Sequence, residues 1–447
     1  MKDTMRKAVS WIFIGAFCTA APLLLLSALG YRYNLKRNAI QPTGALSLIS
    51  IPKGASVTLN GVLQQGTTPL RLTQLAPGNY TVEATKEGYH GWRRQITIAA
   101  GTHTVFATLR FFPTAAPVAV EGFPPADRLI WNRGGSSWIV LSARGEEGKL
   151  LTAHLLAPGI PPLVLEGPLH AAAPAPHDLA LAVLHGDPLR LTLIFLSLTE
   201  SFPTRTLQVR DTVQGVTWIG SNEIMTWDHE ALETRALDGA VRARSKIPGL
   251  VSATADRGRI ILLAAAQTPL TLRVLAGKSI TDDFAPLTAT EFSRASLIVP
   301  GAPEDLVGVL DPLASAFTLL PQGAVPQRIL QPGLTRVQWD SGHAVWFMAS
   351  EHELQRASWE RTLAPDVTLL TRTSESITSH LFVPDLDAVF YTTPSRLAFV
   401  HLDPSVDQEP HTLYEESAME IAGADPTHSR LYLKIGEQLF SYALQTP

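Results

Sequence analysis

From Arg128 to the end of the chain, no segment carries an apolar stripe of helical period and helix length. Runs of four to eight apolar residues recur there instead, each bounded by Gly, Pro, Asp or Ser. That pattern belongs to strands, and it confines more than two thirds of the chain to β-structure. The runs also keep a beat. Leu129-Ile130-Trp131, Val216-Thr217-Trp218 and Val337-Gln338-Trp339 open alike, and each is followed, after a polar turn, by an apolar strand (Trp138 to Leu141, Glu223 to Trp227, Ala344 to Met348). The openings stand 87 and 121 residues apart. These spacings correspond to two units of about 43 residues and three of about 40, the length of a four-stranded repeat.

Weaker openings fall near Asp178, Ser252, Ser293, Leu381 and Ala422, which gives eight unit starts between Arg128 and Pro447. Closing such units into a ring removes exposed sheet edges. The expectation over 128–447 is therefore an all-β fold, an eight-bladed β-propeller. Seven blades stay open, because the units between Thr254 and Leu330 are weakly marked. A tandem of β-sandwiches is the competing fold, and the beat of about 40 residues speaks against it. The last unit has room for three strands only, at Ile421 to Ala424, Arg430 to Lys434 and Gln438 to Ala443. Its outer strand is assigned to Pro117–Glu121, within a hinge over 111–127 rich in proline (Pro113, Pro117, Pro124, Pro125) and so semi-rigid. In architecture the region resembles WD-repeat and TolB-like propellers. No Trp-Asp ending recurs, although Trp227-Asp228 and Trp339-Asp340 occur singly.

Residues 44–110 read differently. Apolar positions alternate over short windows (Leu46, Leu48; Val57, Leu59; Tyr80, Val82; Ile96, Ile98), as half-buried strands require. Asn60-Gly61 is suited to a tight hairpin with positive φ at both central positions, and Pro77-Gly78 to a type II reversal. Gly88 is read as a further turn residue before Tyr89. Ile51-Pro52-Lys53-Gly54-Ala55, Leu59-Asn60-Gly61, Thr68-Pro69-Leu70, Leu75-Ala76-Pro77-Gly78-Asn79-Tyr80 and Lys86-Glu87-Gly88-Tyr89 follow one another in the order of the PEGA domain. The segment resembles that small β-sandwich of bacterial envelope and surface proteins. Lys53 stands where the name-giving Glu would be, a departure the turn tolerates because it depends on Pro52, Gly54 and Ala55. The resemblance implies an architecture and an exported location, without a reaction.

The N-terminus is a short basic tail over 1–7 (Lys2, Arg6, Lys7), expected in the cytoplasm, and no residue from Ala8 to Tyr31 is charged. About 20 apolar residues span a bilayer core, so 8–31 is read as one transmembrane signal anchor. Pro22 is tolerable in lipid, and Trp11, Tyr31 and Tyr33 suit interfacial belts. The alternative, a cleaved signal peptide, fits less well, since the run exceeds a usual h-region and Ser27-Ala28-Leu29-Gly30 is a poor cleavage site. Arg32, Lys36 and Arg37 nearly balance the basic residues before the span, so the positive-inside count leaves orientation open. The basic tail before the first apolar run and the resemblance to exported modules place the C-terminal part outside the cell. Residues 32–43 are expected to be a polar linker.

The balance of 36 basic and 40 acidic residues gives a net charge of −4, which offers no general field for a polyanion, and nucleic acid is excluded as a partner. Cys18, the single cysteine, lies in the apolar run, so neither an intrachain disulfide nor a cysteine metal site can form. No catalytic motif is present, and neither catalytic nor cofactor residues are assigned. His170, His177 and His185, with Asp178 and Asp187, lie close in sequence but read as solvated loops rather than metal ligands. Glu146-Glu147, Asp282-Asp283 and Glu415-Glu416 read as turn and rim charges, because adjacent strand residues face opposite ways. Trp92, Trp131, Trp138, Trp218, Trp227, Trp339, Trp346 and Trp359 offer a sugar-stacking or protein-binding face, but those at the unit openings, Trp131, Trp218 and Trp339, are read as inner-strand packing, and Trp359, after a polar stretch, as exposed. The leading function is a non-enzymatic, membrane-anchored envelope protein displaying its propeller as a platform for cell-wall polysaccharide or envelope proteins. A glycan-acting propeller enzyme would instead need carboxylates converging in the channel mouth. An envelope sensor or assembly factor would meet its partner at the rim.

Overall fold

A computed structural model describes the chain apart from residues 1–10, 12, 23, 26–30, 35–38, 122–127, 132–137, 145–149, 156–162, 176–179, 196–202, 257–258, 265–270, 277–278, 282–296, 300–305, 322–325, 341–343, 360–364, 384–385, 403–409, 426–428 and 446–447. It divides into two compact units, one of Met1–Ala115 with Asp403–Asp407 and Gln445–Pro447, the other of Ala116–Leu402 with Gln408–Leu444.

In the first unit, the described residues of 11–25 are helical. Among the described residues no helix is long and apolar enough to cross a membrane. Residues 8–10, 12, 23 and 26–30 of the expected span lie outside the described residues. The expected linker holds an antiparallel hairpin, Tyr31–Asn34 with Ala39–Pro42. Its signal was missed because each strand has only four residues, and Tyr33 opposite Ile40 is a pairing that periodicity over so short a run does not reveal.

The sandwich comes next in the chain. One sheet orders Leu70–Leu75, Gly44–Ile51 and His103–Arg110, and the other orders Val62–Thr67, Ser56–Leu59, Gly78–Thr85 and Trp92–Ile98. Alternation sends Leu46, Leu48, Val57, Leu59, Val82, Ala84, Trp92, Ile96 and Ile98 into one core. Asn60 (φ 50°) and Gly61 (φ 78°) make the tight turn that their sequence prescribes. Thr68 is buried, and its hydroxyl accepts the Ala55 N–H at 2.9 Å and pairs with Ser50, fastening the Pro52-Lys53-Gly54 turn to the second sheet's entry.

Among the described residues, the second unit holds eight antiparallel sheets of four strands. Their leading strands are Arg128–Trp131, Leu169–Pro174, Gly215–Ile219, Leu250–Asp256, Leu297–Val299, Arg336–Asp340, Ser379–Val383 and Met419–Asp425. Sheets one to seven each take four consecutive strands. The eighth takes three, Met419–Asp425, Arg430–Ile435 and Gln438–Ala443, and is completed by Val118–Ala119 from the start of the unit. The second unit start was expected at Asp178 and lies at Leu169, because Leu169–Pro174 is mostly small residues with weak strand propensity. Asp178 and Ser293 lie outside the described residues.

The middle strands explain why the sheets pack. Ala180–His185, Leu306–Asp311, Ala316–Pro321 and Ala388–Thr392 are buried along their whole length, so both faces are covered. Neighbouring sheets share cores. Leu184 and Leu191 meet Val216 and Trp218, while Phe317 meets Trp346 edge-on at 4.9 Å and Phe347 stacks on Phe382 at 4.2 Å. The Trp218 indole donates to the Ala173 carbonyl at 2.8 Å, joining leading strands two and three. Leading strands two to six lie side by side in turn, as do seven and eight, and leading strand one lies beside leading strand eight.

Candidate functional site

In an antiparallel sheet, the start of the leading strand and the turn between strands two and three fall at the same end. At this end, between sheets seven and eight, opens a cleft of about 380 Å³ lined by Thr378, Pro394, Ala418, Glu420, Lys434 and Gly436. Its floor is rigid. Thr392 is fully buried, and its hydroxyl bonds Thr378 at 2.8 Å and Ser379 at 2.5 Å. Ser379 Oγ in turn accepts the Ile421 N–H of sheet eight at 2.6 Å. Met419–Asp425 is an edge strand, and alternation from the Gly436 N–H to Ala418 carbonyl bond turns the Ile421 N–H away from its own ladder. Ala418, at φ 55°, turns the chain into the leading strand. Glu420 and Lys434 are register partners on the cleft wall. A carboxylate, an ammonium group and the Thr378 hydroxyl around a space of ligand size suit the holding of a polar ligand.

A second constellation lies in the third sheet. Arg210 contacts Asp228 at 2.6 Å and Glu233 at 3.3 Å, and Glu233 also meets Arg235 at 2.6 Å and Arg244 at 3.5 Å. Both carboxylates are buried. Burial alone would raise the Asp228 pKa. The Glu230 and Ala231 N–H groups, the Thr212 hydroxyl and Arg210 outweigh it and hold the carboxyl below its ordinary value. Asp228 thus caps the turn between strands two and three, as Asp311 does for Leu313 and Ala314 in sheet five.

Of the histidines singled out by sequence, His185 is not in a solvated loop. It ends a buried strand, its Nδ1 donating to the Glu166 carbonyl and its Nε2 accepting from Thr192, both at 2.8 Å. Burial, then Arg190 and His170, lower its pKa. His170 is exposed, with Nε2 3.2 Å from the Gly186 carbonyl, whereas His177 and Asp178 lie outside the described residues. Glu415 and Glu416 are exposed at a strand end, and Glu146, Glu147, Asp282 and Asp283 lie outside the described residues. Trp92, Trp218 and Trp346 are core residues. Trp359 is not exposed as expected but half-buried against the core of sheets five and six, because the polar run before it is itself a strand, Glu353–Ser358, that delivers it inward. The cleft was missed, since Glu420 and Lys434 are brought together by register alone.

Residues 43–111 match the model of the PEGA domain. The PEGA domain thus begins one residue before Gly44–Ile51 and ends one past His103–Arg110. No curated protein matches the chain. Among solved structures, a functionally unknown protein from Desulfotomaculum acetoxidans is similar at TM-score 0.43 and 8% identity, over 64% of this chain and 99% of that one. Apo AztD from Citrobacter koseri is similar at TM-score 0.46 and 10% identity, over 88% and 100%.

Proposed function

We propose that the chain is a non-enzymatic, membrane-anchored envelope protein whose eight sheets are the blades of a β-propeller, displayed outside the cell as a binding platform for cell-wall glycan or envelope proteins. One observation carries the propeller: leading strand one lies beside leading strand eight, and a strand from the unit's start completes the last sheet. An open row of sheets would leave both ends uncovered, whereas closure covers them. The cleft between sheets seven and eight supplies a ligand-sized space with opposed charges.

Anchoring rests on the N-terminal helix. Trp11, Phe13, Phe17 and Leu24 are each at least 70% exposed, and a helix that turns bulky apolar side chains outward needs an apolar solvent around it. The PEGA domain and the basic N-terminal tail favour an outward orientation of the sandwich and the eight sheets.

Protease shaving of intact cells tests location: the region after residue 43 is expected to be cut while a tag on the N-terminus is protected. The reverse pattern overturns the outward orientation. Sedimentation of the detergent-solubilised chain with cell-wall polymer, with Glu420→Gln and Lys434→Gln as comparisons, tests the platform. Loss of co-sedimentation in the variants is the expected result, and equal recovery of all three proteins removes the cleft from the reading.

A further inference from the structure

The cleft between sheets seven and eight carries a carboxylate and an ammonium group on neighbouring strands. Glu420 and Lys434 are direct register partners, and the pairing is regular from Met419 opposite Ile435 to Ile421 opposite Leu433. Directly opposed residues of an antiparallel pair share a face, with Cβ atoms about 5 Å apart. The two charges are thus within reach of one another. Yet neither side chain makes an ion pair or a hydrogen bond with the other or with any described residue.

Opposed pairs of Glu and Arg elsewhere in the chain show the ordinary outcome. Glu83 closes on Arg93 at 3.2 Å, Glu353 on Arg372 at 2.7 Å and Glu233 on Arg244 at 3.5 Å, each across its own register. Arg396, opposite Glu415, has turned to the Thr412 hydroxyl at 3.5 Å instead. Lys434 has no substitute of that kind among the described residues. The bonds of Thr392, Ser379 and Ile421 pin sheets seven and eight together beneath the two charges, so the space between the walls is preformed. Pro394, Ala418 and Gly436 belong to a lining without an aromatic ring, which offers no flat apolar face to a sugar.

We propose that this cleft binds an α-amino-acid head group, an ammonium and a carboxylate on one carbon, carried on an uncharged chain. The inference rests on the reading of the cleft as the platform's binding site, and it names the class of ligand. The ligand's ammonium would donate to Glu420 and its carboxylate would accept from Lys434, so both open charges gain a partner at once. A ligand with a single charge satisfies one wall and leaves the other open. A neutral glycan satisfies neither. The cleft, about 380 Å³, exceeds the head alone, and Thr378, Pro394 and Ala418 line the room for the chain that bears it.

The test is a ligand-observed NMR titration of the full chain in detergent micelles with Nε-acetyl-lysine, which presents such a head on an uncharged chain. Binding is expected, with about tenfold loss when the head is blocked as Nα,Nε-diacetyl-lysine or as Nε-acetyl-lysine amide, the scale of one charge-assisted contact. Glu420→Gln is expected to weaken the free head about tenfold and leave the diacetyl form unchanged, and Lys434→Gln to do the same with respect to the amide. That crossed pattern separates direct contact from a general loosening of the cleft. Equal affinity of free and blocked heads, no binding of any of the three, or a uniform loss across all of them in both variants would overturn the proposal. A trimer of N-acetylglucosamine that binds, and is lost in either variant, would overturn it in favour of glycan while the platform stands. Head-group binding with unaltered cell-wall co-sedimentation of the variants would uphold the ligand class and remove only the platform.

Discussion

His380 lies on the leading strand of the seventh sheet, in a small pocket shared with Gln338, Phe347, Met348 and Leu370. Arg336 of the sixth sheet donates to its carbonyl at 3.4 Å. Burial first, and the Arg336 charge second, pull the imidazole pKa from 6.5 down to about 4. A histidine with a lowered folded pKa resists protonation more in the folded than in the unfolded state. Its contribution to stability is therefore present above pH 6.5 and lost as pH falls toward 4. The melting temperature is expected to fall over that window, and His380→Gln to flatten the fall, as read by the difference between the two proteins' pH profiles. Superimposable slopes would remove His380 as a source. His185 acts in the same direction, because burial also lowers its pKa. Neither effect was legible in the sequence, where a histidine on a strand carries no sign of what its surroundings in the fold set against it. Asn60-Gly61 and the packing of Trp218 were legible, since turn chemistry and bulk act through a residue's own geometry.

At the scale of elements, the closing strand is the most informative, because it was inferred from a shortage of strands in the last unit rather than from any strength of its own. Only Val118 and Ala119 pair, opposite Ser441 and Phe440, and the Val120 N–H continues the ladder to the Leu439 carbonyl at 2.9 Å. In an antiparallel pair, N–H groups alternate between partner and solvent, so the Ala119 N–H points away from the sheet. Val120→Pro is expected to destabilise the second unit by about 1 kcal/mol through the lost hydrogen bond, and Ala119→Pro to cost clearly less. Urea titration followed by tryptophan fluorescence reads the difference, and equal midpoints for the two variants would show that the strand contributes nothing through its ladder. The other elements divide by signal strength. Units opening on a bulky residue and Trp were placed correctly, whereas Leu169–Pro174 was displaced because alanines mark a strand weakly, and the four-residue hairpin at Tyr31–Pro42 was read as a linker because periodicity needs a longer run.

For the second unit as a whole, a closed ring and an open row of the same eight sheets differ in one consequence. In a row, a sheet is supported only by its sequence neighbours, and damage to the last sheet loosens the seventh. In a ring the first sheet is also a neighbour of the eighth, although nearly three hundred residues separate their leading strands. Leu433, fully buried in Arg430–Ile435, supplies the perturbation. Leu433→Ala removes about 2–5 kcal/mol of packing from the eighth sheet. Native-state hydrogen exchange at low denaturant, where partial openings dominate, then reports which sheets lose protection. The ring predicts faster exchange in sheets seven, eight and one, including Arg128–Trp131 and Trp138–Arg144, with sheets three and four least affected. Loss confined to sheets seven and eight would mean that the adjacency of leading strands one and eight carries no energy. The platform would then have to be argued from an open array, without a shared axis or channel.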